Sequence, residues 1–175
     1  MLETNNIKLR AVEPSDLQRL YEWENDTALW SLGSSVAPYS KYALKEFIKN
    51  ASEDIYTAKQ LRLMVDFQSV GERSRTIGCV DLFDFDFFNQ RTAFGLLIDK
   101  KYRRKGLGLE TMKIVENYCF SFLKLQQIYC HIPANNTASI HLFEKVGFKQ
   151  SGELHKWIRT ADGYENVFIY QLINQ

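Results

Sequence analysis

The sequence predicts an α+β fold (an α/β mixed sheet) with helices on the faces of a single sheet. Three observations carry this. Apolar residues recur with strand and helix periods in the order strand, two helices, three strands, helix, strand, helix, two strands. The run from a strand at 92–98 through a helix at 106–123 to a strand at 127–132 is a βαβ unit, which requires parallel strands and a right-handed crossover. The chain has 175 residues, 45% of them hydrophobic, enough for one core and short for two, so residues 1–175 read as one domain.

Ile7-Lys8-Leu9-Arg10-Ala11-Val12 alternates apolar and polar residues, as a half-buried strand does. Pro14-Ser15-Asp16 opens a helix with Leu17, Leu20, Tyr21 and Trp23 at near-helical spacing. Proline suits a first turn because its missing N–H has no partner there in any case. Gly33-Ser34-Ser35 and Pro38 mark a loop, and Ser40 is placed to cap a second helix carrying Ala43, Leu44, Phe47 and Ile48. Both helices are expected over the sheet. Leu61–Phe67 reads as a strand, 68–74 as a polar turn, Thr76–Phe85 as the next strand, and Asn89-Gln90 as a hairpin turn before Thr92–Ile98.

Gly106–Leu123 is helical, with Leu107, Thr111, Met112, Val115, Cys119 and Phe122 on one face. Gln127–Ile132 is a strand. Asn136–Val146 is a second amphipathic helix, with Ile140, Phe143 and Val146 on one side, and it stops at Gly147, where a left-handed cap is easiest for glycine. Two strands near Lys149–Ile158 and Val167–Ile173 finish the chain, joined through Ala161-Asp162-Gly163.

No apolar run approaches the roughly 20 residues needed to span a bilayer. The start has no basic and apolar leader pattern, so no membrane partner and no secretory signal are expected. Cys79, Cys119 and Cys130 are odd in number, lie in apolar segments and form no CxxC pair. Buried free thiols in a reducing, cytoplasmic compartment follow, with no metal role. His131, His141 and His155 have no metal-ligand spacing either. Net charge is +1, so bulk charge selects no partner. Its distribution is more informative: Lys100, Lys101, Arg103, Arg104 and Lys105 crowd around Tyr102, while Asp81, Asp84 and Asp86 alternate with aromatics in 81–88. A basic knot and a separate acidic stretch suit one site for an anion and another for a cation. The knot is too short, in a chain too near neutral, to argue for nucleic acid.

The chemistry lies in Arg103-Arg104-Lys105-Gly106-Leu107-Gly108, which follows a strand and opens a helix. The first N–H groups of a helix have no partner inside it, and the helix dipole adds partial positive charge there. Glycines let backbone approach a ligand closely. A phosphate-binding turn is the physical reading; a solvated basic helix start is the alternative. A dinucleotide fingerprint needs a third glycine where Thr111 stands, and the nucleotide P-loop ending is absent.

Arg103-x-x-Gly106-x-Gly108 between a strand and a helix resembles the first signature of the GNAT superfamily of acetyltransferases. Asn136-x-x-Ser139-Ile140-x-Leu142-Phe143-Glu144-Lys145-x-Gly147-Phe148 resembles the second. The opening Ile7-Lys8-Leu9-Arg10 with Asp16-Leu17, and the tail through Gly152-Glu153-Leu154 and Gly163-Tyr164-x-Asn166, resemble the branch of spermidine and ribosomal-protein alanine acetyltransferases. The resemblance implies a GNAT-like fold, its sheet mostly antiparallel with one parallel step. It implies direct transfer of an acetyl group from acetyl-CoA to an amine, a polyamine before a protein N-terminus or an amino sugar. It places the pyrophosphate on Arg103, Arg104, Lys105, Gly106, Leu107 and Gly108, and the pantetheine arm along Leu96, Leu97 and Ile98. Asn136 and Ser139 reach the same ligand, although a plain helix cap explains Asn136 equally. Members of the branch often self-associate, which leaves monomer, dimer and larger ring open.

Two positions depart from the family pattern. Phe143 stands where many spermidine-type relatives carry a tyrosine thought to protonate the leaving thiolate, and Ala93 where they often carry a glutamate. Tyr102, Tyr129 and Tyr164 are candidate replacement acids. A base matters more. A primary amine with a pKa of about 10.4 is only about one part in 2,500 neutral at pH 7, a cost of roughly 4.6 kcal/mol. Loss of both groups also motivates a non-catalytic acyl-CoA sensor. Asp81 and Asp84 match acidic positions of the branch, Asp81 to hold a proton-accepting water and Asp84 a distal ammonium. A spacing of three puts them on opposite faces of a regular strand, so both reach one site only through a bulge.

Overall fold

The computed structural model describes residues 1–30, 36–69 and 71–175, so the loop expected at Gly33-Ser34-Ser35 lies outside the described residues. Ile7 and Leu9 are buried and Lys8 between them is exposed, the alternation that makes β1 (Ile7–Ala11). It is followed by β2 (Gln60–Phe67), β3 (Arg75–Asp86), β4 (Arg91–Ile98), β5 (Gln127–Pro133), β6 (Lys149–Thr160) and β7 (Gly163–Ile173). These form one seven-stranded sheet in the order β1-β2-β3-β4-β5-β7-β6. Every neighbouring pair is antiparallel except β4–β5, the parallel step that the βαβ pattern requires. The last strand starts earlier than Val167 because its polar beginning pairs with the end of β6, Thr160 opposite Gly163 and Ile158 opposite Glu165.

The helices are α1 (Leu17–Glu24), α2 (Thr27–Trp30), α3 (Lys41–Asn50), α4 (Ile55–Ala58), α5 (Leu107–Asn117) and α6 (Thr137–Val146). Ser40 caps α3 as expected, its Oγ accepting from the Ala43 N–H at 3.0 Å. The short α2 and α4 are additions to the sequence reading, since four residues carry no readable period. Two cores result. Val12, Leu20, Trp23, Leu44, Met64 and Cys79 seal α1 and α3 to one face of the sheet. On the other face α5 and α6 pack Leu107, Met112, Val115 and Phe143 against Val80, Leu82, Phe94, Ile128, Cys130 and Ile132.

The helix expected over 106–123 is shorter. It ends at Asn117 and passes into a wider π-type turn, Tyr118–Phe122, where the Leu123 N–H reaches the Tyr118 carbonyl at 3.0 Å. The widened turn rotates Phe122 off the apolar face, and it is 58% exposed while Leu107, Thr111, Met112, Val115 and Cys119 stay buried. Gly147 ends α6 at φ +115°.

Candidate active site

Between β4 and β5 only three residue pairs face each other: Arg91–Gln127, Thr92–Ile128 and Ala93–Tyr129. Beyond Ala93 the two strands part. β4 stays paired to β3 as far as Ile98, and β5 stays paired to β7 as far as Pro133. The sheet therefore opens into a V, and Leu96, Leu97 and Ile98 lie half-buried along the stretch of β4 that has lost its β5 partner. An open strand edge offers N–H and C=O groups to an extended ligand.

The expected phosphate turn sits at the end of that edge. Asp99 orders its start by accepting from the Lys101 N–H at 3.0 Å, and Arg103 reaches back so that its Nε donates to the Ile98 carbonyl at 2.7 Å. Arg103 thus ties the turn to β4. Arg104 and Gly106 both take left-handed backbone, φ +61° and +79°, and Gly106 is the N-cap of α5. Among the described residues nothing lies within 4 Å of where a Gly106 Cβ would stand, so the space at the start of α5, whose first N–H groups lack helical partners, is open. Gly108 differs: a Cβ there would meet Leu142 Cδ2 at 3.2 Å, so its work is close packing of α5 on α6. Arg104 and Lys105 are exposed beside the turn, with Lys105 Nζ 5.5 Å from the Tyr102 ring centroid. An open, amide-lined and basic helix start suits an anion.

Asn136 is the N-cap of α6, its Oδ1 accepting from the Ser139 N–H at 3.2 Å. The cap reading of Asn136 therefore holds, and Ser139 lies half-buried in the first turn.

Across the sheet face beneath α1 lies a charged group that the sequence reading missed in part. Arg62 Nε and Nη2 donate to the two carboxylate oxygens of Asp81 at 2.6 and 2.9 Å, and its Nη1 donates to Glu24 at 2.6 Å. The guanidinium also lies 5.1 Å from the Phe47 ring centroid. Burial works against the charged Arg62, but Asp81 above all, then Cys79 and Glu24, outweigh it and raise its pKa. Two carboxylates against one guanidinium leave one formal negative charge. The available signal was Arg62 itself, a charge interrupting the apolar strand Leu61–Phe67. The bulge between Phe83 and Asp86 is present, and it puts Asp84 in left-handed backbone at φ +51°. Asp84 is exposed, and its charge acts on Tyr129, whose phenol pKa is raised first by burial and then by Asp84.

Residues 6–149 match the model of the GNAT acetyltransferase domain family. The chain belongs to the GNAT acetyltransferases. It is an acyl-CoA-dependent N-acetyltransferase, with acetyl-CoA as co-substrate. The GNAT chain is 27% identical to a spermidine N(1)-acetyltransferase of Escherichia coli over 95% of its own length and 86% of that protein. Among solved structures, it resembles a spermidine N-acetyltransferase of Vibrio cholerae in complex with CoA and spermine. That likeness has a TM-score of 0.86 and 23% identity, covering 97% of this chain and 96% of that one. A dodecameric structure of a Vibrio cholerae spermidine N-acetyltransferase matches with a TM-score of 0.79 and 22% identity over 97% and 95%. At such identities the two structures speak for the fold.

The two departures of this GNAT acetyltransferase are physically distinct. Phe143 is 6% exposed, its ring packed 5.6 Å from Phe94 and 4.9 Å from Phe148, so it is a core residue. Ala93 is buried at the last rung before the V. Tyr164 is exposed on the β6–β7 hairpin, and Tyr102 is half-buried against Phe67 and Lys105. The thiols are free and buried. Burial pushes Cys79 and Cys119 up to about 12, with Asp81 adding to Cys79, and pushes Cys130 up as well. No cluster of three or more His, Cys, Asp or Glu with metal-site geometry occurs among the described residues. No helix of the described residues is long and apolar enough to cross a membrane.

Proposed function

We propose that this GNAT acetyltransferase acetylates a primary amine of a polyamine. The observation that carries the reading is the group Glu24–Arg62–Asp81, whose surplus negative charge lies on the sheet face next to the V and suits an ammonium. Aromatic Phe47 beside it adds a cation-binding surface. The similarity to spermidine acetyltransferases over nearly the whole chain supports the same amine class.

Acetyl-CoA supplies the acyl group activated as a thioester. In this reading Leu96, Leu97 and Ile98 hold the pantetheine arm by their backbone. The N–H groups of Arg104, Lys105, Gly106, Leu107 and Gly108 receive the pyrophosphate, with the charges of Arg104 and Lys105 alongside. Arg103 keeps the turn in place through Ile98, and its two Nη groups lie on the same exposed basic turn. Asn136 and Ser139 border the same edge from the start of α6. Asp81, gripped by Arg62, orients water or the substrate ammonium rather than acting as a free base, and the exposed Asp84 receives a distal ammonium. Self-association belongs to the reading too. The β6–β7 hairpin leaves Trp157 and Tyr164 64% and 65% exposed, and light scattering on the purified chain is expected to give an oligomer.

The test is thiol release from acetyl-CoA with spermidine, spermine, diamines, amino sugars and N-terminal peptides. Turnover concentrated on polyamines is expected. Preferred turnover of peptides or amino sugars would replace the polyamine. Acetyl-CoA binding with no turnover would favour the sensor reading, which the core placement of Phe143 and the methyl of Ala93 motivate.

A further inference from the structure

We propose that His131 is the base that takes the proton from the attacking amine. The inference rests on the acetyl-transfer reading but not on which amine is used.

The register of the sheet places it. Arg62 faces Asp81, and Asp81 faces Gly95. Ala93 faces Tyr129 at the last rung of the parallel pair. Two residues further along both strands, Gly95 on one wall of the V stands opposite His131 on the other. His131 therefore continues the row Arg62–Asp81–Gly95 across the gap, and on its far side it pairs with Ile169. The face is settled by the alternation of β5. Ile128, Cys130 and Ile132 are buried in the core under α5 and α6, so Tyr129 and His131 point the other way. That is the face of Asp81, since Val80 and Leu82 share the α5 core. The His131 ring stands edge-on to Tyr129, with centroids 5.9 Å apart and planes at 89°. Gly95 has no side chain, and a Cβ there would lie 3.8 Å from both Asp81 Cβ and Phe83 Cε1, so those two side chains flank this wall.

The other groups near the V do not serve as a base. Asp81 is held by Arg62, Ala93 and Phe143 have no proton-handling atoms, and Cys79 and Cys130 are buried thiols with raised pKa values. Tyr129 is likewise raised and stays a phenol at neutral pH. His131 is exposed, and among the described residues its side chain makes a ring contact with Tyr129 and no ion pair or side-chain hydrogen bond. Tyr129 is the titratable neighbour on β5. On β7 it meets Ile169, beyond which β6 presents Gly152. Across the gap stand Gly95, then Asp81 with Arg62, and Asp84 lies toward Tyr129. Imidazole is the side chain whose charge changes nearest neutral pH, where a base is most effective.

The step balances. The nitrogen–carbon bond forms as the carbon–sulfur bond breaks. The proton on nitrogen passes to an imidazole nitrogen of His131, and from the imidazolium to the departing thiolate, giving amide and free thiol.

The experiment compares the full chain with His131→Gln and His131→Ala, using whichever amine of the panel turns over. An exposed side chain is replaced, so the thermal midpoint is expected to stay within about 2 °C. In both variants kcat is expected to fall on the order of 100-fold at unchanged KM for acetyl-CoA, and the acid limb of the kcat/KM profile to disappear. Added imidazole is expected to restore rate to His131→Ala, and an NMR titration of His131 in the free enzyme to give the same midpoint as that limb. Unchanged kcat with the limb retained, or a limb midpoint different from that of the His131 resonance, overturns the proposal. Turnover of peptides or amino sugars in place of polyamines overturns the substrate reading alone, because the His131 comparison then runs on that amine. A chain that turns over no amine overturns both.

Discussion

Arg62 holds Asp81 through two hydrogen bonds of 2.6 and 2.9 Å while a third, of 2.6 Å, binds Glu24, which joins β2, β3 and α1 at one mostly buried point. Replacing it by a residue of similar length but no charge leaves two carboxylates without their cation. Arg62→Met is expected to lower stability by about 3 kcal/mol, read as a lower urea midpoint at unchanged slope. Asp81→Asn keeps one acceptor for Arg62 and is expected to raise the KM for the amine several-fold with little effect on that for acetyl-CoA. Equal changes in both constants would remove Asp81 from the amine site.

Arg10 makes a second ionic hub. It donates to both oxygens of Asp16 at 2.7 and 2.8 Å and to Asp66 at 2.7 Å, pinning the 3-10 turn Pro14–Asp16 to β1. Burial pushes the Asp16 carboxyl up, but the Arg10 guanidinium and the Glu13 N–H reverse this and hold it below the ordinary range. A group whose folded pKa is depressed stabilises the fold above its unfolded value, about 3.9, and that stability is lost as pH falls through the folded value. Unfolding free energy is expected to decline below about pH 4. Asp16→Asn is expected to cost about 2 kcal/mol at pH 7 and to show a shallower acid decline. Parallel curves for the two proteins would show that Asp16 is not the source.

The two glycines of the turn Arg103–Gly108 are separable. Gly106→Ala meets no atom but must hold φ near +79°, at a cost of about 1–2 kcal/mol. Gly108→Ala keeps ordinary backbone but presses on Leu142. The first is expected to raise the KM for acetyl-CoA more than it lowers the thermal midpoint. The second is expected to lower the midpoint with a smaller effect on KM, because α5 shifts away from α6. Calorimetry and steady-state kinetics on the pair check the distinction.

Phe143→Tyr restores the residue type of spermidine-type relatives. The ring here is packed between Phe94 and Phe148, so the added hydroxyl enters apolar surroundings. A loss of about 1–2 kcal/mol is expected, with no gain in kcat. A clear rise in kcat would show that this position still reaches the departing sulfur.

Much of the fold was legible because it rests on local chemistry. Ser40 and Asn136 cap their helices, and Gly147 takes positive φ where the periodic residues of α6 run out. Arg103–Gly108 opens a helix after a strand, so its reading as an anion turn needed only neighbouring residues. The π-type turn after Asn117 was not legible, since the apolar spacing through Phe122 is equally good for an uninterrupted helix. Asp84 and the bulge were half legible: the spacing of three required an irregularity, but only the fold set the charge of Asp84 beside Tyr129 of β5.

The sequence by itself determined the order of the strands and longer helices, the parallel step and the glycine turn that opens α5, because helix and strand periods, caps and glycines act over a few residues. The tertiary structure alone decided which charged groups meet on the α1 side of the sheet. Arg62 lies 38 residues from Glu24 and 19 from Asp81, and a gap separates Gly95 from His131 only because β4 and β5 part after Ala93. Ion pairs and strand registers between distant segments leave no periodic trace in a chain. They exist only once burial of the two cores has brought those segments side by side.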